Sequence, residues 1–355
     1  MTNWTIDQIF KSAKKSAASD IHLVRGLAPI FRINGDLRQL GGAPLEREDL
    51  LRLLHEVATK NQIASFEKKK AVCFSRYWDE VGRLRITGYL HALCPEMAIR
   101  ICESAIRPLS ELGLPDVLQD FTRLHDGLVL ITGPTGVGKT TTLNVMVDLI
   151  NQEQRKKIIM IEDPVEFVHR NSRSIIVQQE VMTDTPSFHE ALTNSLRQDP
   201  DVIVIGEMRS LETISTALTA AETGHLVFAT LHTPDTVQTI QRVQSVFPSE
   251  QQNLVNIQLS NSIQAIVSQL LLPKADGSGR VVATEVCICN YAIRNKIRER
   301  NLHAIYNDLQ GGRSTKMNTM DMSLLDLYEQ GIITYETAIT HARDKKFIQL
   351  RGRDL

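Results

Sequence analysis

The chain has 355 residues, 42% hydrophobic and 23% charged, with a formal net charge of −1, so it is long enough for two domains and reads as a globular rather than a disordered protein. A charge so close to zero argues against wholesale electrostatic capture of nucleic acid or anionic lipid. No apolar run approaches a bilayer span, and the stretch from Met1 to Asp20 lacks the apolar core of a signal peptide, so the chain is expected to be neither exported nor integrated into a membrane by itself.

In chain order, the periodicity predicts a helix over Ile6 to Ala17 and short strands at Asp20 to Leu23, Ile30 to Ile33 and Asp36 to Leu40. Helices follow at Leu50 to Val57 and Ile63 to Lys70, then strands at Ala71 to Tyr77, Arg83 to Tyr89 and Met97 to Ile101. Together these make a small α+β domain over 1–108. Pro108, Gly113 and Pro115 punctuate a stretch read as a linker over 109–126. From Gly127 onward apolar strands alternate with helices: strands at Lys157 to Ile161, Val202 to Ile205, Leu226 to Thr230 and Ala265 to Leu270, helices at Phe188 to Arg197, Leu211 to Thr223 and Thr236 to Val246. That alternation predicts an α/β core over 127–290 with a mostly parallel sheet covered on both faces. The remainder, 291–355, reads as helical and amphipathic.

The strongest motif lies where the apolar run Leu128 to Ile131 feeds Gly133-Pro134-Thr135-Gly136-Val137-Gly138-Lys139-Thr140, followed by Thr141. This satisfies G-x-x-x-x-G-K-[ST]. Glycines let backbone N–H groups turn inward around phosphates, Lys139 sets an ammonium on the terminal phosphates, and the Thr140 hydroxyl suits Mg²⁺. The positive end of the following helix adds to the cradle. ATP and Mg²⁺ are the expected cofactors.

Hydrolysis needs acids as well as a cradle. In DVIVIGEMR an apolar strand ends at Glu207, with Gly206 where a Walker B aspartate is usual, so Glu207 carries the metal-side charge, reaching Mg²⁺ through water. In IIMIEDPVEF a strand breaks at Pro164 and presents Glu162, Asp163 and Glu166. TGHLVFATLHT places His225 before a strand and His232 after it, hence at opposite ends. His232 is positioned to sense the γ-phosphate, whereas a packed histidine accounts equally well for His225.

Cys73, Cys94, Cys102, Cys287 and Cys289 form no C-x-x-C pair, so no zinc site is expected, and the five thiols fit a reducing cytoplasm. Two basic groups, Arg294, Lys296, Arg298 and Arg300, and Arg343, Lys345, Lys346, Arg351 and Arg353, read equally as solvated surface or as local patches.

On these residues the chain resembles the retraction ATPases of type IV pili, the PilT type within the secretion-ATPase superfamily. The phosphate loop, IEDPVEF, DVIVIGEMRS and TGHLVFATLHT correspond in order to that family's Walker A, Asp box, Walker B and His box, and AIRNKIRE resembles its retraction signature. The resemblance implies a PAS-like N-terminal domain, a RecA-like ATPase domain and a homo-hexamer. It further implies Glu166 as general base, Glu207 as Walker B acid, Arg209 as its brace, His225 and His232 as couplers of nucleotide state to domain movement, and Arg83, Arg85 and Arg100 as arginines reaching the phosphates. The implied partners are the pilus machinery and an inner-membrane platform protein, with the enzyme peripheral at the cytoplasmic face, and no nucleic acid. The basic face of AIRNKIRE is read as a docking surface for neighbouring subunits or the platform.

The chain departs from the family pattern in GYLHALCPEMAIRICES around Arg100, at Lys296 where an apolar residue is usual, and at Ala229 where glycine is common. Rival readings are a pilus-assembly or type II secretion ATPase and a nucleotide-switched scaffold without turnover. A DNA-translocating motor ranks last, for want of basic balance and aromatic platforms.

Overall fold

The computed structural model describes residues 4–102 and 106–351, the side chain of the last of these excepted. Arg353 and the end of the segment Leu90 to Ser104 lie outside the described residues, as does the Arg351 side chain. The chain divides into two compact units: Met1–Ala105 with Glu162–Val168 and Gln179–Ser187, and the remainder.

The first unit opens with α1 (Ile6–Lys15), started by a capping box in which Thr5 and Gln8 satisfy each other's backbone N–H. It continues through β1 (Asp20–Leu23), β2 (Ile30–Ile33), β3 (Asp36–Gln39), α2 (Arg47–Val57), α3 (Lys60–Lys69), β4 (Ala71–Trp78), β5 (Gly82–His91) and β6 (Cys94–Ile101). The strands form one antiparallel sheet in the order β3-β2-β1-β6-β5-β4.

Register sorts its two faces. Phe31, Ile21, Ile99, Ile86 and Phe74 stand opposite one another across five strands, and all are buried with Leu50, Leu53, Leu54 and Val57 of α2. Those four recur at helical spacing, the stripe an amphipathic helix needs. Each such side chain contributes about 1.5–3 kcal/mol by leaving water. One residue along, the row is Arg32, Asp20, Arg100, Arg85 and Ser75. Side chains alternate along a strand, so this row occupies the opposite face. The segment around Arg100 that departs from the family pattern is a regular hairpin, with β5 and β6 in unbroken register from His91↔Cys94 to Leu84↔Ile101.

The second unit contains α4 (Leu109–Leu112), α5 (Val117–Thr122), β7 (Gly127–Thr132), α6 (Lys139–Glu153), β8 (Lys157–Glu162) except Glu162, β9 (Ile175–Glu180) except Gln179 and Glu180, which fall in the first unit, α7 (Phe188–Ser195), β10 (Val202–Ile205), α8 (Leu211–Glu222), β11 (Leu226–Leu231), α9 (Thr236–Ser245), α10 (Gln252–Ser262), β12 (Ile263–Pro273) and β13 (Arg280–Ile288). It ends with α11 (Tyr291–Arg298), α12 (Ile305–Gly311), α13 (Met320–Glu329), α14 (Tyr335–His341) and α15 (Lys345–Arg351). Its sheet runs β13-β12-β7-β11-β10-β8-β9. The pairings β12–β7, β7–β11, β11–β10 and β10–β8 are parallel, and β13 closes the edge antiparallel. The strands β7, β10 and β11 are wholly buried, as strands covered on both faces must be.

The stretch 109–126 does not behave as a linker. Leu109, Val117, Leu118 and Phe121 belong to the second unit's core, packed with residues such as Val129, Leu143 and Met146. Proline and glycine punctuation marks turns there, but the apolar residues between them are enough to bury. The periodicity predicts neither β9 nor α10, nor the full length of β13. Among the described residues no helix is long and apolar enough to cross a membrane.

Candidate active site

Three neighbouring parallel strands, β7, β11 and β10, end side by side. The phosphate loop leaves the end of β7, His232 comes directly after β11, and Glu207 lies just beyond β10, so the sheet's C-terminal edge gathers three motifs that are far apart in sequence. The loop needs its glycines. Gly133 has φ +137°, and a Cβ there would meet the Gln269 carbonyl oxygen at 2.4 Å, while Gly138 has φ +92° as it caps α6. L-residues rarely adopt that backbone region, and at Gly133 no side chain fits.

Lys139 is buried, and its Nζ donates to the carbonyls of Gly133 at 2.7 Å and Pro134 at 2.8 Å. Nδ1 of His232 lies 3.5 Å away on its third side and 3.2 Å from the Thr135 hydroxyl. Nε2 of His232 lies 3.1 Å from Oε1 of Glu207, whose Oε2 takes a 2.6 Å bond from Arg209. An ammonium only donates and a carboxylate only accepts. Hydrogen-bond logic therefore assigns Nδ1 as acceptor and Nε2–H as donor, and the imidazole links Lys139 to Glu207.

Burial pulls the Lys139 ammonium below its usual value, against the opposing charge of Glu207. At Glu207 burial works against ionisation, but Arg209 and the His232 hydrogen bond outweigh it and hold the carboxyl below its usual value. Thr140, in the first turn of α6, lies next to Lys139 in the chain, and its carbonyl accepts from Asn144 at 2.8 Å. Among the described residues no group of three or more His, Cys, Asp or Glu side chains could hold a metal alone. A single hydroxyl and one ionised carboxylate suit an ion such as Mg²⁺, which keeps much of its water and is otherwise held by phosphates.

His225 is not brought to this edge. It precedes β11, a strand of six residues and so about 20 Å long, and its Nδ1 faces the Ala220 carbonyl at 3.0 Å.

The remaining candidates belong to the first unit. Arg85 Nη1 pairs with Glu166 Oε1 at 3.1 Å. Arg83 donates from Nε to the Val165 carbonyl at 3.0 Å and from Nη2 to Glu180 Oε2 at 3.1 Å. Arg100 pairs with Asp20 at 2.9 Å and is well exposed. Each arginine therefore has a partner in its own unit. Sequence reasoning missed Glu180 and Ser75, since a lone glutamate ending an unrecognised strand and a serine in an exposed-looking strand carry no motif.

The retraction-like helix α11 is wired into its unit. Arg294 donates to the carbonyls of Cys289 at 2.8 Å and Asn261 at 2.9 Å, and to Gln264 Oε1 at 2.7 Å. Lys296 is ion-paired with Asp308 of α12. Of the proposed basic face, Arg298 and Arg300 remain exposed, whereas Arg294 is held by the carbonyls of Cys289 and of Asn261 at the end of α10. Arg343 lies over the Tyr306 ring at 4.6 Å.

A family described as type II/IV secretion system proteins matches residues 2–349. The chain belongs to this family. It is 42% identical over 338 residues to the type IV pilus retraction ATPase PilT of Pseudomonas aeruginosa, covering 95% of this chain and 98% of that one. It is also 35% identical to the type IV pilus ATPase PilU of the same organism, over 97% of this chain and 90% of that one. A crystal structure of the pilus retraction motor PilT with bound ADP aligns with a TM-score of 0.91 at 43% identity, covering 98% of this chain and all of that one. The ATPase DotB of Legionella pneumophila aligns at 0.85 with 27% identity, over 94% of each chain. This secretion-family chain is thus a P-loop nucleotide hydrolase of the pilus-retraction type, with a RecA-like second unit.

Proposed function

We propose that the protein is a hexameric motor that hydrolyses ATP to drive type IV pilus retraction, working against an inner-membrane platform protein from the cytoplasmic face of the membrane. The observation that carries this reading is the Lys139–His232–Glu207 connection at the sheet edge. Phosphates entering the loop compete with Gly133, Pro134 and His232 for the three N–H bonds of Lys139. As Lys139 turns to them, His232 loses a donor at Nδ1, and the change passes through Nε2–H to Glu207. The presence of nucleotide is then registered at the acid that serves hydrolysis.

Thr140, with Glu207 through water, would hold Mg²⁺, which neutralises charge on the phosphates. The backbone from Gly133 to Thr141 would line the cradle, with N–H groups at every position but Pro134. Glu166 is the general base that orients and deprotonates the attacking water, and Arg83, Arg85 and Arg100 reach the phosphates when copies of the chain close on one another. Reaching phosphate need not break what they hold: Arg83 is bonded through Nε and Nη2, Arg85 through Nη1 and Arg100 through Nε, and a guanidinium carries five N–H donors. His225, at the far end of β11, would respond to domain movement rather than to phosphate.

Similarity to the retraction ATPase PilT at 42% identity, against 29% to the type IV pilus assembly ATPase PilB of Acinetobacter baylyi, supports retraction over assembly. Deleting the gene tests this. Hyperpiliated cells without twitching motility are the expected result, and bald cells would make the protein an assembly motor.

A further inference from the structure

Glu180, the last residue of β9, is 2% exposed. Its Oε1 accepts from the Ser75 backbone N–H at 3.0 Å and the Thr183 hydroxyl at 2.9 Å. Its Oε2 accepts from Arg83 Nη2 at 3.1 Å, from the Val165 N–H at 3.0 Å and from the Ser75 hydroxyl. Five donors converge on one buried carboxylate, and only the ionised form can accept from all of them. An isolated buried charge is costly, so an arrangement this complete persists by satisfying every lone pair.

What the donors belong to gives the cluster its meaning. The Val165 peptide is gripped on both sides, its N–H by Glu180 and its carbonyl by Arg83 Nε at 3.0 Å. The Ser75 hydroxyl also accepts from Arg83, locking that guanidinium to the same carboxylate. The next residue is Glu166, whose carboxylate meets Arg85 at 3.1 Å. Arg83 and Arg85 are two apart on β5 and so project from one face of the sheet. One arginine fixes the backbone ahead of Glu166 and the other fixes its side chain. Glu180 holds the first arginine and the backbone together.

We propose that Glu180 is a positioning residue for ATP hydrolysis, acting through Val165 and Arg83 to set the place and direction of the Glu166 carboxylate. This rests on the reading of Glu166 as general base. It gives the strand β9 and the tight loop after it a task in catalysis, although neither carries a recognised motif. In that loop the Glu180 N–H donates to Asp184 at 2.8 Å and the Asp184 N–H returns to the Glu180 carbonyl at 2.8 Å. Glu180 therefore presents its carboxylate from a braced backbone.

The test is steady-state Mg-ATP turnover and mant-ADP binding by full-length Glu180→Gln, Glu166→Gln and the double variant. Glu180→Gln replaces one acceptor oxygen by an amide that faces donors. Turnover should fall about 10- to 100-fold, the loss that misplacing a catalytic group by about an ångström produces, with mant-ADP affinity within about twofold of the parent because the phosphate loop is untouched. The double variant should be no slower than Glu166→Gln alone, since residues acting as one unit are not additive.

Wild-type turnover by Glu180→Gln beside an inactive Glu166→Gln would overturn the positioning role and leave the base intact. Wild-type turnover by Glu166→Gln would instead remove the base itself. Loss of mant-ADP binding in step with turnover would reduce Glu180 to a general structural part. If Glu180→Gln does not fold, Ser75→Ala, which deletes only the hydroxyl bridging Arg83 and Glu180, is read in the same way. A several-fold fall in turnover at unchanged mant-ADP affinity supports the proposal, and unchanged turnover overturns it.

Discussion

Lys139 Nζ lies 3.5 Å from His232 Nδ1, on the one side of the ammonium not already occupied by the carbonyls of Gly133 and Pro134. The lysine proposed to hold phosphate is thus engaged beforehand, and its third partner also contacts Glu207. Removing the reporter should separate binding from turnover. His232→Ala is expected to keep nucleotide affinity within a few-fold and to lower kcat by about 10²-fold, the usual scale for a polar group acting in the transition state. Nucleotide titration and phosphate release on the same preparation check this.

His169 supplies a pH dependence. Its Nε2 lies 2.6 Å from Asn144 Oδ1, while the Asn144 amide donates to the Thr140 carbonyl, so Nε2 carries the proton. Nδ1 is buried without a partner among the described residues. Burial pushes the imidazole down to about 4 from 6.5. The unfolded chain then binds the extra proton first, so this site contributes stability above about pH 6.5 that is lost as pH falls towards 4. The slope is about 1.4 kcal/mol per pH unit. Urea unfolding of wild type and His169→Gln between pH 7 and 4.5 should show the variant's slope shallower by one proton.

The phosphate loop, the strands that end at Glu207 and His232, and the α/β alternation were legible because each rests on local chemistry: glycine conformations, apolar runs, acids at strand ends. The partners were not. Glu180 lies 97 residues from Arg83, and Asn144 lies 25 from His169, and no periodicity relates such pairs. The missed strand β9 reads IIVQQE, with mostly half-buried positions, which blurs the alternation that would have revealed it. The stretch 109–126 misled in the opposite direction, because its turn residues were more conspicuous than the leucines they separate.

Lys296, where the family usually has an apolar residue, holds α11 to α12 by pairing with Asp308. Both side chains are less than one-third exposed. Lys296→Ala should cost about 1 kcal/mol, towards the upper end for exposed pairs. A double-mutant cycle with Asp308→Ala, read from denaturant midpoints, should return a favourable coupling of about 0.5–1 kcal/mol.

The turn between β5 and β6 is made by Ala92 at φ +47° and Leu93 at φ +61°. Two left-handed residues form the tight hairpin that Asn-Gly serves best, and Leu93 is 79% exposed, so little packing would be lost by replacing it. Ala92→Asn with Leu93→Gly should raise stability by about 1 kcal/mol. The urea midpoint should rise with an unchanged m-value.

In the proposed function the phosphate loop is the hydrolytic centre of a motor and Glu166 serves as its base. Phosphate release from Mg-ATP by the full chain, beside Lys139→Ala and Glu166→Gln, tests it most directly. The expected result is steady turnover that Lys139→Ala abolishes along with nucleotide binding, and that Glu166→Gln lowers by about 10²–10⁴-fold while ADP still binds. Turnover unchanged in either variant would contradict it.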